Sequence, residues 1–219
     1  MRCDVVMEEP PDVLRKAAML ACGMPDEPSA PTAIHRWPLP YEDLLDLRPR
    51  EQIDLVVIHC TELPDLAMAR EYGERILHAG SGTGNSGHFY IDRDGSVHEF
   101  VSPERTAHHV RGWNQRSVGI EIVNTGRYPD WLDSRHQAMV EPYTEAQIAS
   151  LEALLGDLLA AMPNLRWIAG HEDLDTEQVP ASDEPSETVA RKRDPGPMFP
   201  WGRVLASTPL QRLVPDAQA

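Results

Sequence analysis

IDLVVIHCT, residues 53–61, is the stretch of sequence that decides the fold. It is a short apolar run with a single charge, Asp54, and with turn-forming residues on both sides. A run of this kind predicts a central strand, because a strand that is buried on both faces has no reason to alternate with polar residues. His59 comes at its carboxyl end, where a rigid strand can hold an imidazole as a metal ligand or a catalytic base.

Composition and charge limit the classes of protein to which the chain can belong. It has 219 residues, 41% of them apolar, which is enough for one sizeable core. A net charge of −15, from 20 basic and 35 acidic residues, argues against nucleic acid or an anionic membrane as the main partner. Three cysteines provide no disulfide framework, and Cys60, on the predicted strand, is expected to be a buried free thiol.

No apolar run reaches the ~20 residues that a membrane-spanning helix needs. A basic pair followed by a short apolar run, residues 15–22, is too short and too late in the chain for an export signal. We therefore expect a cytoplasmic protein, with the periplasm or cell envelope as the alternative if an export signal is missing from this chain.

The proline distribution divides the chain. Five prolines lie between residues 24 and 40, which predicts a linker or a surface wrap rather than part of the core. Residues 1–45 are therefore predicted to be an N-terminal extension, with a short helix over 12–22 and a Pro-rich linker. Residues 46–210 form the predicted folded domain, and residues 211–219 a C-terminal tail.

Strand and helix patterns interleave through the predicted domain. Thr144 and Gln147 form a capping box before a long apolar helix face, and Asp92-Arg-Asp-Gly95 predicts the turn of a hairpin. The Gly-rich residues 80–87 lack the Gly-Lys-Ser/Thr ending of a phosphate loop, so a mobile loop is favoured. The other predictions are a helix between Pro64 and a cap at Gly80, strands over 118–123 and 166–170, a structureless loop over 173–190 and a helix after Pro200. Together they predict an α/β domain with a mixed sheet.

Three potential metal ligands lie at the ends of predicted ordered segments: His59, His171 and Asp194. Two imidazoles and a carboxylate leave the fourth position of a tetrahedral zinc ion open, as in catalytic sites. Glu121 is an acid in an otherwise apolar strand, which is costly unless the carboxylate has a partner. Lys192 lies two residues before Asp194, so an extended segment would place both on one side.

Each of these signals is weak by itself. A lone histidine at a strand end is more often structural than a ligand. A strand glutamate usually faces solvent, and a lysine between two arginines is usually solvated charge. Spacing alone does not join His59 to residues so far along the chain.

A resemblance to a known protein family links these residues to one site. Five motifs occur in one order: Val56-Val-Ile-His59-Cys-Thr, His88-Phe-Tyr-Ile-Asp-Arg-Asp-Gly95, Ser117-Val-Gly-Ile-Glu121-Ile-Val-Asn124, Ile168-Ala-Gly-His171-Glu-Asp and Lys192-Arg-Asp194-Pro-Gly-Pro197. As a set, over roughly residues 50–205, they resemble the zinc-dependent N-acetylmuramoyl-L-alanine amidases of the type-2, peptidoglycan-recognition-protein-like family. The resemblance implies a central mixed β-sheet flanked by helices, with a zinc groove on one face. It also implies that residues 46–210 are a zinc amidase domain.

The resemblance also implies roles for single residues. His59, His171 and Asp194 match the zinc ligands, Glu121 matches the acidic residue that activates water, and Lys192 matches the lysine near the scissile carbonyl. Three further residues are predicted to bind substrate. His109 falls where the family often has an aromatic-histidine pair before a glycine. A groove role and a structural role are both open for His88, and Arg111 belongs either to a basic patch for substrate carboxylates or to solvated charge.

The function predicted from this resemblance is hydrolysis of the amide between N-acetylmuramic acid and L-alanine, in peptidoglycan or in its muropeptide fragments. Two alternatives stay open: a non-catalytic peptidoglycan-binding module, and a zinc peptidase that cuts within the stem peptide. The loop over 173–190 is predicted to be an insertion, with a substrate-side lid as the alternative.

Overall fold

The computed structural model describes residues 33–215. Strands and helices interleave along this part of the chain, and the order is typical of an α/β domain. The strands are β1 Ile34–Arg36, β2 Leu55–Cys60, β3 Phe89–Ile91, β4 Val97–Glu99, β5 Ser117–Ile122, β6 Trp167–Gly170, β7 Gln178–Pro180, β8 Thr188–Ala190 and β9 Gln211–Arg212, and the helices are α1 Leu66–Glu74, α2 Glu145–Ala161, α3 His171–Leu174 and α4 Trp201–Ala206.

Seven strands form one mixed sheet in the order β1-β4-β3-β5-β2-β6-β9. Only β3 and β4 pair in the antiparallel direction, as the hairpin predicted around Gly95 requires, and the other neighbours in this sheet are parallel. Every residue of β2 is buried, with β5 on one side and β6 on the other. The predicted mixed α/β fold and the predicted central strand are therefore confirmed.

The two faces of the sheet differ in what covers them. On one face, apolar side chains of β2 and β5 such as Ile58 and Ile120 pack against Leu151 and Leu155 of α2 in the main core cluster. Helix α2 begins as predicted, because the Thr144 side chain and the Gln147 side chain complete both bonds of the capping box. Burying this apolar surface stabilises the layer by about 25 cal/mol per Å² removed from water. The other face of the sheet carries a smaller apolar cluster with Leu55 and Val57 of β2, and it also carries the cleft described below.

The helix predicted after Pro64 is shorter than expected. Asp65 caps α1 by accepting a hydrogen bond from the Met68 N–H, but the helix ends at Glu74. Ile76 and Leu77 are more than half exposed, so they do not extend its buried face. The periodicity that suggested a longer helix was therefore misleading.

Two predictions about regions without regular structure were wrong. Within the loop predicted over 173–190, β7 and β8 pair as a small antiparallel sheet. Both strands are short and mostly exposed, so they carry little of the apolar pattern that identifies a strand. The Pro-rich segment also departs from the prediction, because β1 joins the edge of the main sheet and Leu39 and Tyr41 are buried in the core.

The predicted division of the chain at residues 45 and 210 stays a prediction. The predicted helix over 12–22 lies outside the described residues, as does most of the predicted extension. In the predicted tail, β9 pairs with β6. Among residues 33–215, no helix has the length and apolar character needed to cross a membrane.

Candidate metal centre and cleft

Two neighbouring parallel strands bring His59 and Glu121 side by side. In the register of β2 with β5, His59 lies opposite Glu121. Side chains at matched positions of neighbouring strands project to the same face, which here is the face opposite Ile58 and Ile120. Both line a cleft of about 690 Å³. Glu121 therefore projects away from the apolar face of its strand.

His59, His171 and Asp194 meet on the wall of this cleft. Asp194 Oδ2 lies 2.9 Å from His59 Nδ1 and 3.1 Å from His171 Nδ1. One potential ligand atom from each of the three residues lies within 4.8 Å of the others. The side chains are at most 4% exposed. The structure therefore brings together the three residues that were predicted as metal ligands.

Different elements deliver the three side chains. His59 lies on β2, and His171 is the first residue of α3, directly after β6. Asp194 follows the β7–β8 pair, and its backbone carbonyl accepts a hydrogen bond from the Glu172 N–H at 2.9 Å. A Cβ at Gly170 would lie 2.8 Å from Pro195 Cδ, so the missing side chain lets the segment after Asp194 pack against the end of β6.

The protonation states of His59 and Asp194 suit a metal ion. Burial lowers the pKa of His59 to about 4, so its imidazole is neutral at pH 7. Burial alone would raise the pKa of Asp194, but the neighbouring His171 and His59 outweigh it and hold that pKa well below its usual range. Neutral imidazoles and an ionised carboxylate are the forms that bind divalent metals. Within the described residues, two buried polar atoms of the cluster, His171 Nε2 and Asp194 Oδ1, have no hydrogen-bond partner. The residues present can therefore hold a metal ion.

Glu121 lies beside this cluster in a close-packed setting. A Cβ at Gly87 would approach Glu121 Cγ to 2.7 Å, so the glycine makes room for the side chain. Burial, and then the charge of Asp194, raise the pKa of Glu121 well above its ordinary value, while Lys192 lowers it in part. Among residues 33–215, no hydrogen bond reaches the Glu121 carboxylate. Its oxygens are therefore available to a molecule in the cleft.

Lys192, His109 and Arg111 also line the cleft, whereas His88 does not. The Arg111 side chain is 71% exposed and pairs with Glu177 on the rim at 3.0 Å. His88 is fully buried, and its Nδ1 accepts a hydrogen bond from the Gly119 N–H at 3.0 Å. This burial leaves no ring edge for a substrate, so the structural role that was left open for His88 fits its position better than the groove role.

A buried ion pair beyond the end of β2 was not predicted from the sequence. Arg127 Nε and Nη2 donate to the two carboxylate oxygens of Glu62 at 2.7 and 3.0 Å. The same guanidinium donates to the Ala190 carbonyl at 2.9 Å and to the Arg191 carbonyl at 3.3 Å. It therefore ties the end of β2 to the segment that carries Lys192. Neither residue belongs to a recognisable motif, so no local signal indicated the pair.

A comparison with protein-family models decides the family. Residues 49–197 match the model described as N-acetylmuramoyl-L-alanine amidase. The chain belongs to this amidase family. The matched range contains β2, β5, β6 and all the cleft residues described above.

Curated proteins show moderate similarity to part of the chain. It is 30% identical over 125 residues to the 1,6-anhydro-N-acetylmuramyl-L-alanine amidase AmpD of Enterobacter cloacae, covering 53% of each protein. It is 28% identical over 129 residues to the endolysin of Escherichia phage T7, covering 58% of this chain and 81% of the endolysin. The chain thus aligns with about half the length of the AmpD relative.

Solved structures of amidases share the fold. The N-acetylmuramoyl-L-alanine amidase LysC from Clostridium intestinale superposes with a TM-score of 0.57 at 21% identity, covering 82% of this chain and 99% of LysC. At this identity, the similarity concerns the fold alone. It agrees with the mixed sheet flanked by helices that the sequence predicted for a member of this family.

Proposed function

We propose that the chain hydrolyses the amide bond between N-acetylmuramic acid and L-alanine in peptidoglycan or its fragments. The observation that carries this proposal is the convergence of His59, His171 and Asp194 on one point of the cleft, with Glu121 beside it. Family membership supports the same reaction, and the AmpD relative is named for the amide of a 1,6-anhydro-muramyl fragment.

We propose zinc as the metal, held by His59, His171 and Asp194. Two imidazoles and one carboxylate form a ligand set of catalytic zinc sites. When bound, zinc supplies a positive charge that makes a water molecule more acidic and stabilises negative charge on the amide oxygen.

In this proposal, Glu121 is the general base. It accepts a proton from the attacking water and returns it to the amine of L-alanine as the amide C–N bond breaks. A raised pKa makes the ionised carboxylate a stronger base than an ordinary glutamate. Lys192 lies on the same cleft and places a second positive charge near the developing oxyanion.

Glu121→Gln tests the proposal, because it removes the base and leaves the ligand cluster intact. We expect the variant to keep its zinc, measured by elemental analysis, and to lose about 10²- to 10⁴-fold in the rate of muropeptide cleavage. Glu104→Gln is a matched control, since Glu104 is half-exposed and pairs with Arg50 outside the cleft. Cleavage by Glu121→Gln at the wild-type rate would contradict the assignment.

The substrates and products of the same assay separate the alternatives. Mass spectrometry should show the intact stem peptide released with a free L-alanine amino group. Cleavage within the stem would indicate a peptidase, and binding without any release would indicate a recognition module. Rates on whole sacculi and on soluble anhydro-muropeptides should be compared, because the curated relatives include an anhydro-muramyl amidase and a phage endolysin. The cytoplasmic location stays a prediction.

A further inference from the structure

The ring nitrogen of His59 that faces away from Asp194 begins a chain of hydrogen bonds. His59 Nε2 lies 3.0 Å from His109 Nδ1. The other nitrogen of His109, Nε2, lies 3.2 Å from Ser117 Oγ. Ser117 Oγ lies 2.9 Å from the Trp113 carbonyl oxygen, to which it donates. Four groups are therefore connected in series, from the cleft wall to a backbone carbonyl.

The Trp113 carbonyl, as the last acceptor, sets the direction of every hydrogen bond in this series. A carbonyl oxygen only accepts, so the single Ser117 hydrogen is used on Trp113. Ser117 Oγ then accepts from His109 Nε2–H. A neutral imidazole carries one N–H, so His109 Nδ1 is bare and accepts from His59 Nε2–H. By the same rule, His59 Nδ1 carries no hydrogen.

Neighbouring groups hold His109 in the position that this chain requires. Asn114 Oδ1 accepts hydrogen bonds from the backbone N–H groups of His109 and Val110, at 3.1 and 2.8 Å. Gly119 faces the ring, and a Cβ there would lie 2.6 Å from His109 Nδ1. Ser117 and Gly119 precede Glu121 on the same face of β5 at alternate positions, so one strand supports the imidazole and also carries the proposed base.

We propose that His109 and Ser117 are positioning residues that select the Nε2–H tautomer of His59 and leave its Nδ1 free to bind the metal. This inference rests on the proposed metal site and assigns to His109 a task other than the predicted contact with substrate. One interaction opposes the Nε2–H tautomer of His59: without a metal, the Asp194 carboxylate, 2.9 Å from His59 Nδ1, favours a hydrogen on Nδ1. The hydrogen-bond chain opposes this preference, as outer hydrogen bonds commonly do for metal-binding histidines.

The first test is direct. Long-range ¹⁵N–¹H correlation spectra of the zinc-loaded wild-type chain report which nitrogen of His59 and of His109 carries the hydrogen. We expect Nε2–H on both rings. Nδ1–H on His109 would overturn the inference even if zinc is bound and muropeptide is cleaved.

The second test measures zinc affinity by competition with a chromophoric chelator. His109→Leu and Ser117→Ala should weaken binding about 10- to 100-fold, the usual effect of losing an outer hydrogen bond to a ligand. His109→Gln should stay within a few-fold of wild type, because the amide offers one acceptor and one donor in place of the two ring nitrogens. Ser150→Ala is a matched control: its hydroxyl also donates to a backbone carbonyl, that of Gly95, but away from the cleft.

The outcomes separate this inference from the proposed function. Equal zinc affinity for His109→Leu, His109→Gln and wild type would refute the positioning role while leaving the amidase proposal standing. A wild-type chain that binds no zinc would overturn both. Circular dichroism of each variant identifies any change that comes from misfolding, and the wild-type spectra decide the tautomer without any variant.

Discussion

Removing the buried arginine at the end of β2 should destabilise the protein far more than removing an exposed one. In Arg127→Met, the Glu62 carboxylate keeps its buried position and loses both of its charged hydrogen bonds. The two side chains are only 1% and 9% exposed, so the pair has little contact with water. Breaking a buried pair from one side costs about 3–5 kcal/mol, because it leaves an uncompensated charge.

The predicted loss can be measured by urea unfolding, followed by circular dichroism and tryptophan fluorescence. Arg50→Met is the matched control, since Arg50 also donates to a carboxylate, Glu104, but the two side chains are 48% and 51% exposed. Exposed ion pairs contribute little to stability, so this control should unfold close to the wild-type urea concentration.

A double variant tests the physical reason. Glu62→Gln/Arg127→Met removes the buried charge together with its partner, so it should be more stable than Arg127→Met alone. If Arg127→Met lost no more stability than Arg50→Met, or if the double variant were the less stable of the two, the argument from a buried uncompensated charge would be wrong.

Two further predictions follow from single contacts. Gly87→Ala should lower the rate of muropeptide cleavage at least tenfold with zinc retained, since its Cβ would lie 2.7 Å from Glu121 Cγ. The control Gly80→Ala, with no atom within 4 Å of the new Cβ, should cleave at the wild-type rate. Equal rates for the two variants would contradict the packing argument. Burial raises the pKa of Tyr41 from 10.0 to about 12, so the folded state favours the neutral phenol, which donates to the Gly73 carbonyl. The contribution of this phenol to the free energy of unfolding is complete below pH 10 and is lost as the pH rises toward 12. In urea unfolding across this range, Tyr41→Phe should show a smaller loss of stability with pH than wild type, and parallel pH profiles would rule out this contribution.

Local sequence determined the elements that rest on local physics. The apolar run 53–61 predicted β2 because a strand buried on both faces needs continuous apolar residues. Thr144 and Gln147 predicted the start of α2 because a capping box is made by residues three apart. The hairpin at Gly95 was predicted for the same reason, since its turn residues are adjacent, and Gly95 has the positive φ that the turn needs.

Elements stabilised by distant partners could not be predicted in this way. The segment with Leu39 and Tyr41 has the prolines of a linker, yet both side chains are buried, and β1 just before them pairs with β4, where Ile34 lies opposite Val97. Strands β7 and β8 have too few buried residues to show alternation, and their pairing is visible only in the structure.

For the candidate site too, the sequence predicted one part and the tertiary structure decided the rest. The motifs around His59, Glu121, His171 and Asp194 were sufficient to indicate the family and the residue types of a candidate metal site, because short motifs carry that chemistry. Tertiary structure alone decided that three residues from separate elements come within 4.8 Å. It also decided that Arg127 pairs with Glu62 and that His109 contacts His59 rather than only lining the cleft. The physical reason is that parallel strand register and loop packing, which bring these side chains together, depend on residues far apart in the sequence.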